Sequence, residues 1–498
     1  MRIIGNNPQL SRQTQGTASG AITGGKPVLV NTDGTVSMIS NAATAVAAST
    51  GSSLEIRNSV EVASHDIVYD TGRDKFITAL ARGDTTASHM NVLTVSGTSV
   101  SKGSDVAYNN HTSYSSRLAF DTNSNIGIVA YMDRGNSFHG TAIAFSGTGT
   151  GIGNLSSEVV FESATTRPYG VVYDSNADRV VIFYRDDGNS NAGTAVVGTL
   201  SSGPSVSFGT PVSIGSAIDE LNHSAAVTFD SNSNKVVFVY RDTGNSNRGT
   251  AIVGTVDSSD NSISFGSEAV FNPASTLSMR ATFDSNSNKV VIVYQDAGNS
   301  NHGTAIVGTL SGTSISFGSE VVFNPAEVEN GLGIDFDTTR NKVIIAYRDN
   351  GNSGKASAIE GTVDSSDNSI SFATPIVFDD VICIDMNVVF DPDTLKSVIL
   401  YRDSNTGGSE ARVYSPPSTT TNLSASTSEA FIGFAKDTVA TGQPVTVNTK
   451  GAIDENQSSL TPAQQYFVQT NGTLGTSAGS PSVVAGTAVT ATKLIVKG

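Results

Sequence analysis

The stretch Ala281-Thr282-Phe283-Asp284, Ser285-Asn286-Ser287-Asn288, Lys289-Val290-Val291-Ile292-Val293-Tyr294 decides the fold. An apolar run ends in an aromatic residue and an aspartate. A four-residue polar turn follows, and then an unbroken apolar run. Phe-Asp or Tyr-Asp recurs with the aspartate at Asp70, Asp121, Asp174, Asp230, Asp284, Asp337 and Asp391, at intervals of 51, 53, 56, 54, 53 and 54 residues. Four short strands with their turns need about that length, which is the unit of a propeller blade. The run Lys289–Tyr294 has no polar alternation, as expected of a strand covered on both faces. A second turn, Asp296-Ala297-Gly298-Asn299-Ser300-Asn301, carries residues that tolerate positive φ. Third and fourth strands are expected at Thr304–Thr309 and Ser314–Phe323. The fold class is therefore all-β, a seven-bladed β-propeller.

The last repeat has strands expected at Val388–Phe390, Ser397–Tyr401 and Ala411–Tyr414, and then runs into Ser415-Pro416-Pro417. Glu55–Val62, before the first repeat, reads as the missing fourth strand, which would close the ring and remove an open sheet edge. The chain ends also resemble each other, Gly25-Lys26-Pro27-Val28-Leu29-Val30-Asn31 against Gly442-Gln443-Pro444-Val445-Thr446-Val447-Asn448. This predicts a propeller inserted into a small β-domain formed by the N- and C-terminal segments. The expected boundaries are a polar arm at 1–17, the two parts of the small domain at 18–50 and 418–498, and the propeller at 51–417. Thr461-Pro462-Ala463-Gln464-Gln465 predicts one or two helical turns.

Composition narrows the function classes. The 498 residues include 49 Gly and are 38% hydrophobic, with a formal charge of −16. An acidic surface repels phosphate backbones, so nucleic acid is not expected as a partner. No apolar run is long enough for a spanning helix. The start, Met1-Arg2-Ile3-Ile4-Gly5-Asn6, has no signal-like apolar region, which fits synthesis in a cytoplasm. The one cysteine, Cys383, sits in an apolar run and reads as buried filler. No cofactor is expected. Asp230-Ser231-Asn232-Ser233-Asn234 has the look of a calcium loop but lacks its later acidic residue, and reads as a turn.

Four Tyr-Arg-Asp runs, at Tyr184, Tyr240, Tyr347 and Tyr401, read as structural, with Arg–Asp pairs tying blades and the aspartate orienting the turn. The six histidines show no metal spacing and no nucleophile motif. Two facing carboxylates would suit a glycosidase, but the sequence does not say which carboxylates face each other. The expectation is that the chain is not an enzyme. Variation between repeats concentrates in the connections from fourth strand to next first strand, at Asn110–Arg117, Ser163–Tyr169, Ser216–Ser224, Asn272–Arg280 and Pro325–Leu332. They carry Tyr114, Arg167, Tyr169, Glu220, His223, Arg280, Glu327 and Glu329, the candidate receptor-binding residues.

The repeat form F-D-S-N-S-N-K-V-V-x-V-Y-R-D-x-G-N-S-N-x-G-T-A-I-V-G-T-V resembles virion structural proteins of marine tailed bacteriophages. So do Phe431–Ala435, Tyr466–Leu474, Ala485–Val489 and Lys493–Lys497. The resemblance implies a tail fibre or knob component on the virion that meets a host cell-surface glycan or protein and contacts other virion proteins. A homotrimer is the expected assembly. The alternatives are a capsid fibre or decoration protein, and a free lectin-like propeller. A lectin reading is weakened by the absence of Trp for stacking on sugars.

Overall fold

A computed structural model of the chain describes residues 12–39, 44–57, 62–83, 87–149, 151–221, 223–329, 331–420, 423 and 427–497. Two compact units emerge, one of residues 48–416 and one of 1–47 with 417–498. Both are built from strands, and the described residues hold no α-helix.

The larger unit is a β-propeller. Its repeats are named here by their aspartates. In the Asp284 repeat, Lys289–Asp296 pairs antiparallel with the second half of Ala269–Asp284 on one side and with His302–Ser311 on the other. Ser314–Phe317 and Val321–Glu327 both pair with His302–Ser311. The first half of Ala269–Asp284 pairs with Arg248–Asp257 of the preceding repeat. One strand of 16 residues therefore serves two repeats, bent where the register slips between Leu277 and Arg280. Val159–Asp174 and Ile376–Asp391 do the same. The connections expected as loops at Ser163–Tyr169 and Asn272–Arg280 are thus strand, because bulges let the backbone turn without leaving the ladder.

The apolar runs explain the stacking. Val290, Val291, Ile292, Val293 and Tyr294 are all fully buried, with alternate residues facing opposite neighbours. Val291 and Val293 pack with Ile334, Phe336, Val343 and Ile345 of the Asp337 repeat. Val290 and Ile292 pack with Val237, Val239 and Val253 of the Asp230 repeat. Full burial of each such side chain stabilises by about 1.5–3 kcal/mol. Similar clusters join each repeat to the next. Another joins Val398, Leu400 and Ala411 of the last repeat to Ile67, Phe76 and Leu80 of the first.

The last sheet is completed by the N-terminal side. Leu54–Arg57 pairs with Ser409–Ala411, and Ser49–Thr50 pairs with Tyr414–Ser415. Of the expected strand Glu55–Val62, the part Glu55–Arg57 lies in this pairing. Residues 58–61 lie outside the described residues, and Val62 pairs with Arg82 in the first repeat.

The turns follow from their side chains. Asp284 Oδ1 accepts the backbone N–H groups of Asn286 (2.9 Å) and Ser287 (3.0 Å), and Asp230 does the same for Asn232 and Ser233. These are Asx turns. In the Tyr-Arg-Asp runs the aspartate caps the next turn, as Asp242 does at Gly244 N (2.9 Å). The arginines do not pair with that aspartate. Arg241 bonds Asp219, Arg348 lies 3.2 Å from Glu329, and Arg402 lies 2.9 Å from Asp385, all carboxylates of the strand-to-strand connections. Tyr184, Tyr240 and Tyr401 are buried and donate to carboxylates, Tyr240 to Glu268 at 2.6 Å, and Tyr294 at the equivalent position donates to Glu320 at 2.7 Å. Cys383 is buried.

In the terminal unit the two similar segments flank one strand. Pro27–Val30 pairs with one edge of Phe431–Ala435, and Pro444–Asn448 pairs with the other. Gln13–Thr17 pairs with Pro444–Asn448, so the end of the expected polar arm is part of a sheet, while 1–11 lie outside the described residues. A second sheet holds Gln465–Val468, Val483–Thr490 and Lys493–Val496. The helical turns expected at Thr461–Gln465 are absent. Ala463 has φ 65° and its N–H bonds Ala488 O at 2.9 Å, so sheet pairing overrides the Pro-initiated helix signal. Ala48–Thr50 belongs with the propeller unit because Ser49 and Thr50 join its last sheet.

Candidate functional site

The first strand of each repeat lines a central cavity of about 320 Å³. By alternation, the residue four before each aspartate and the residue two before it share one face. The upper position holds Asp66, Arg117, Gly170, Ala226, Arg280, Gly333 and Asn387. No two neighbours in this ring are alike, although the strands around them are nearly copied. The lower position is mostly Val, Ala and Thr, with Asp335 as the exception.

Bulges build the upper rim. Ser115, Ser278 and Asp385 occupy the same repeat position and have φ of 50°, 45° and 53°. The register slips after Tyr114, Leu277 and Ile384, which turns Arg117, Arg280 and Asn387 toward the axis. Gly331 stands at the equivalent place with φ +123°, and a Cβ there would meet Asp385 N at 2.5 Å. Only glycine allows that approach.

Above the cavity a buried polar network joins repeats that are not neighbours. His223 Nε2 lies 2.5 Å from Asp385 Oδ1, and Arg280 Nη2 donates to His223 Nδ1. With Nδ1 accepting, His223 is the neutral tautomer that donates from Nε2. His65 Nδ1 meets Ser409 Oγ at 2.7 Å, and its Nε2 meets Asp385 O. Burial lowers both histidines to about 4, helped at His223 by the Arg280 charge. The Asp385 carboxyl is buried, yet His223 and Arg402 hold it well below the usual carboxylate range. Arg402 Nη2 faces Asp385 Oδ2 at 2.9 Å, an ion pair whose angle makes no hydrogen bond. A second cavity of about 410 Å³ lies on the loop side of this network, lined by Leu221, His223, Ser278, Gln295, Asp385 and Arg402.

Seven of the eight residues expected to bind fall into three groups. His223 and Arg280 meet in the network. Arg167, Tyr169 and Glu220 form an adjoining patch, where Arg167 donates to Glu220 O at 2.7 Å and Tyr169 to Asp219 O. Glu327 and Glu329 sit further round, accepting from Asn350 Nδ2 at 3.1 and 3.2 Å. Tyr114 is half-buried on its strand and is not joined to the network. The sequence reading missed His65, Asp66, Arg117, Asp335, Asp385, Asn387 and Arg402. Aligning repeats on their aspartates isolates most of them as departures from the repeat.

The candidate calcium turns gather no cluster of three or more metal-ligating side chains among the described residues. No helix is long and apolar enough to cross a membrane.

No family model and no curated protein matches the chain. Among solved structures it is similar to the β-propeller domain of Cps50 (Swd1) from Myceliophthora thermophila, at 8% identity and TM-score 0.46, covering 73% of this chain and 99% of that one. It is also similar to the periplasmic gluconolactonase PpgL of Pseudomonas aeruginosa, at 13% identity and TM-score 0.49, covering 73% and 96%. A putative 6-phosphogluconolactonase of Bacteroides fragilis matches at 12% identity and TM-score 0.46, covering 71% and 95%. The class these features define is the β-propeller. The expectation that the chain is not an enzyme is corrected here. Two of these solved structures are described as a gluconolactonase and a putative 6-phosphogluconolactonase.

Proposed function

We propose that the chain is a virion surface protein of tail fibre or knob type, whose propeller holds a host-surface ligand at the loop-side end of its channel. The observation that carries the binding role is the convergence, at that end, of residues that break the repeat, His65, His223, Arg280 and Asp385, around the repeated Arg402. Unlike residues on a repeated scaffold mark the place where specificity is needed. The virion context is supported by the likeness of the repeats and the C-terminal segments to phage structural proteins.

The reading includes a finer architecture: seven blades in one ring, closed by residues 49–57, with a small β-domain made from both chain ends docking on other virion proteins. Assembly as a homotrimer belongs to the same reading and is checked by ultracentrifugation. Mass spectrometry of purified particles tests the placement, and absence of the protein there defeats it. Binding of the full chain to host cells and to a glycan array tests the adhesive role. Host-cell binding should fall at least tenfold in His223→Ala and in Arg167→Ala. Detection on particles without any binding to cells or glycans would favour a decoration role. The same glycans, incubated with the protein and assayed for new reducing ends, report any turnover.

A further inference from the structure

Two guanidiniums face the central cavity without a carboxylate partner. Arg117 is 7% exposed. Its Nε donates to Tyr169 O at 2.9 Å and its Nη1 to Ser116 O at 2.8 Å. Its Nη2 makes no hydrogen bond among the described residues. Arg280 donates Nη1 to Met279 O at 3.0 Å and Nη2 to His223, which leaves Nε without a partner. Neither arginine forms an ion pair among the described residues. Buried charges are normally paired.

The carboxylates on the same wall are already engaged. Asp66 accepts the N–H groups of Ile67 (3.0 Å) and Leu118 (2.8 Å). Asp335 accepts those of Phe336 (2.8 Å) and Phe390 (2.7 Å). Each pins its repeat to the next, and each oxygen keeps a lone pair for a hydroxyl donor. Asn387, Thr228 and Thr282 add neutral polar groups around the wall. Two arginines with no ion-pair contact of their own, sharing only the more distant Asp66 charge and ringed by hydroxyl-binding groups, complement a ligand with one carboxylate and several hydroxyls. The volume sits at the low end for small-molecule sites, which suits a single sugar-sized molecule.

We propose that the central cavity binds a sugar acid, its carboxylate taken by Arg117 and Arg280 and its hydroxyls by Asp66, Asn387, Thr228 and Thr282. The inference rests on the channel being a ligand site, not on the virion placement. The test is calorimetric titration of the full chain with glucuronate, glucose, acetate and glutamate. Glucuronate should bind at least tenfold more tightly than each of the other three. Arg117→Gln should weaken glucuronate at least tenfold, while Arg117→Lys, which keeps the charge, should weaken it less. Asp66→Asn should lower the preference for glucuronate over acetate, since acetate gains from the lost negative charge and has no hydroxyl to lose. Circular dichroism of each variant checks that it folds. Where a glutamine variant fails to fold, the wild-type ligand ranking decides alone. Equal affinity for glucose and glucuronate, tighter binding of glutamate, or no binding of glucuronate overturns the proposal. Absence of host-cell binding by the unaltered chain, with glucuronate binding intact, would sink the adhesive reading instead.

Discussion

His223 shows how a residue's surroundings set its chemistry. Its Nδ1 accepts from Arg280 and its Nε2 donates to Asp385, so a second proton would break the first contact and sit beside a guanidinium. Its affinity for a proton falls to about 4, below the unfolded value of about 6.5. The unfolded chain therefore takes up protons first as pH falls. Stability is fully present above pH 6.5 and is lost between 6.5 and 4. His65 acts with the same sign. Asp335, raised by burial to about 6, acts oppositely and regains stability below pH 6. His223→Gln should lose less stability than wild type between pH 7 and pH 4.5, read from urea midpoints at each pH. Equal losses would show that His223 is not the titrating group. Cys383 gives a simpler expectation. Burial pushes its thiol well above the usual range, so a thiol reagent should label it only after unfolding.

At the scale of the element, aspartates of the same type do unequal work. Asp296 accepts Gly298 N at 2.9 Å and Asn272 Nδ2 at 3.1 Å, and Asn272 is 1% exposed. Asp296→Ala orphans both donors and should cost about 2 kcal/mol. Asp257 holds only the exposed turn at Ser259, and Asp257→Ala should leave stability nearly unchanged. Thermal or chemical denaturation of the two variants side by side checks the contrast. Gly331→Ala is expected to destabilise by more than about 1 kcal/mol, since its Cβ would strike the Asp385 backbone and the φ is unfavourable. The strand pattern was legible from apolar runs and Asx turns. The bulges were not, because positive φ at Ser115, Ser278 and Asp385 is imposed by neighbours and those residue types do not signal it.

For the whole molecule, closure depends on a segment more than 300 residues from the strand it pairs with. Ile56 is buried with Val398, Leu400 and Leu93, so Ile56→Ala should cost about 3 kcal/mol. Glu55→Pro would disrupt the pairing with Glu410 and leave an edge free. Its expected outcome is concentration-dependent aggregation by light scattering, with wild type as control. A variant that stays monomeric and equally stable would show that this strand does not seal the ring.

The sequence by itself determined the repeat, its strands, its turns and the return of the N-terminal segment, because each is a local pattern of burial and turn chemistry. It also carried most of the unlike residues at the channel, once repeats are aligned on their aspartates. Only the tertiary structure decided that His65, His223, Arg280, Asp385 and Arg402 form one network, that the Tyr-Arg-Asp arginines pair with the connections and not with their own aspartates, and that Tyr114 stands apart. The physical reason is that strand alternation fixes which face a side chain takes, whereas its partner across the axis depends on how successive repeats are rotated and bent. That rotation comes from packing between sheets, and no single repeat encodes it.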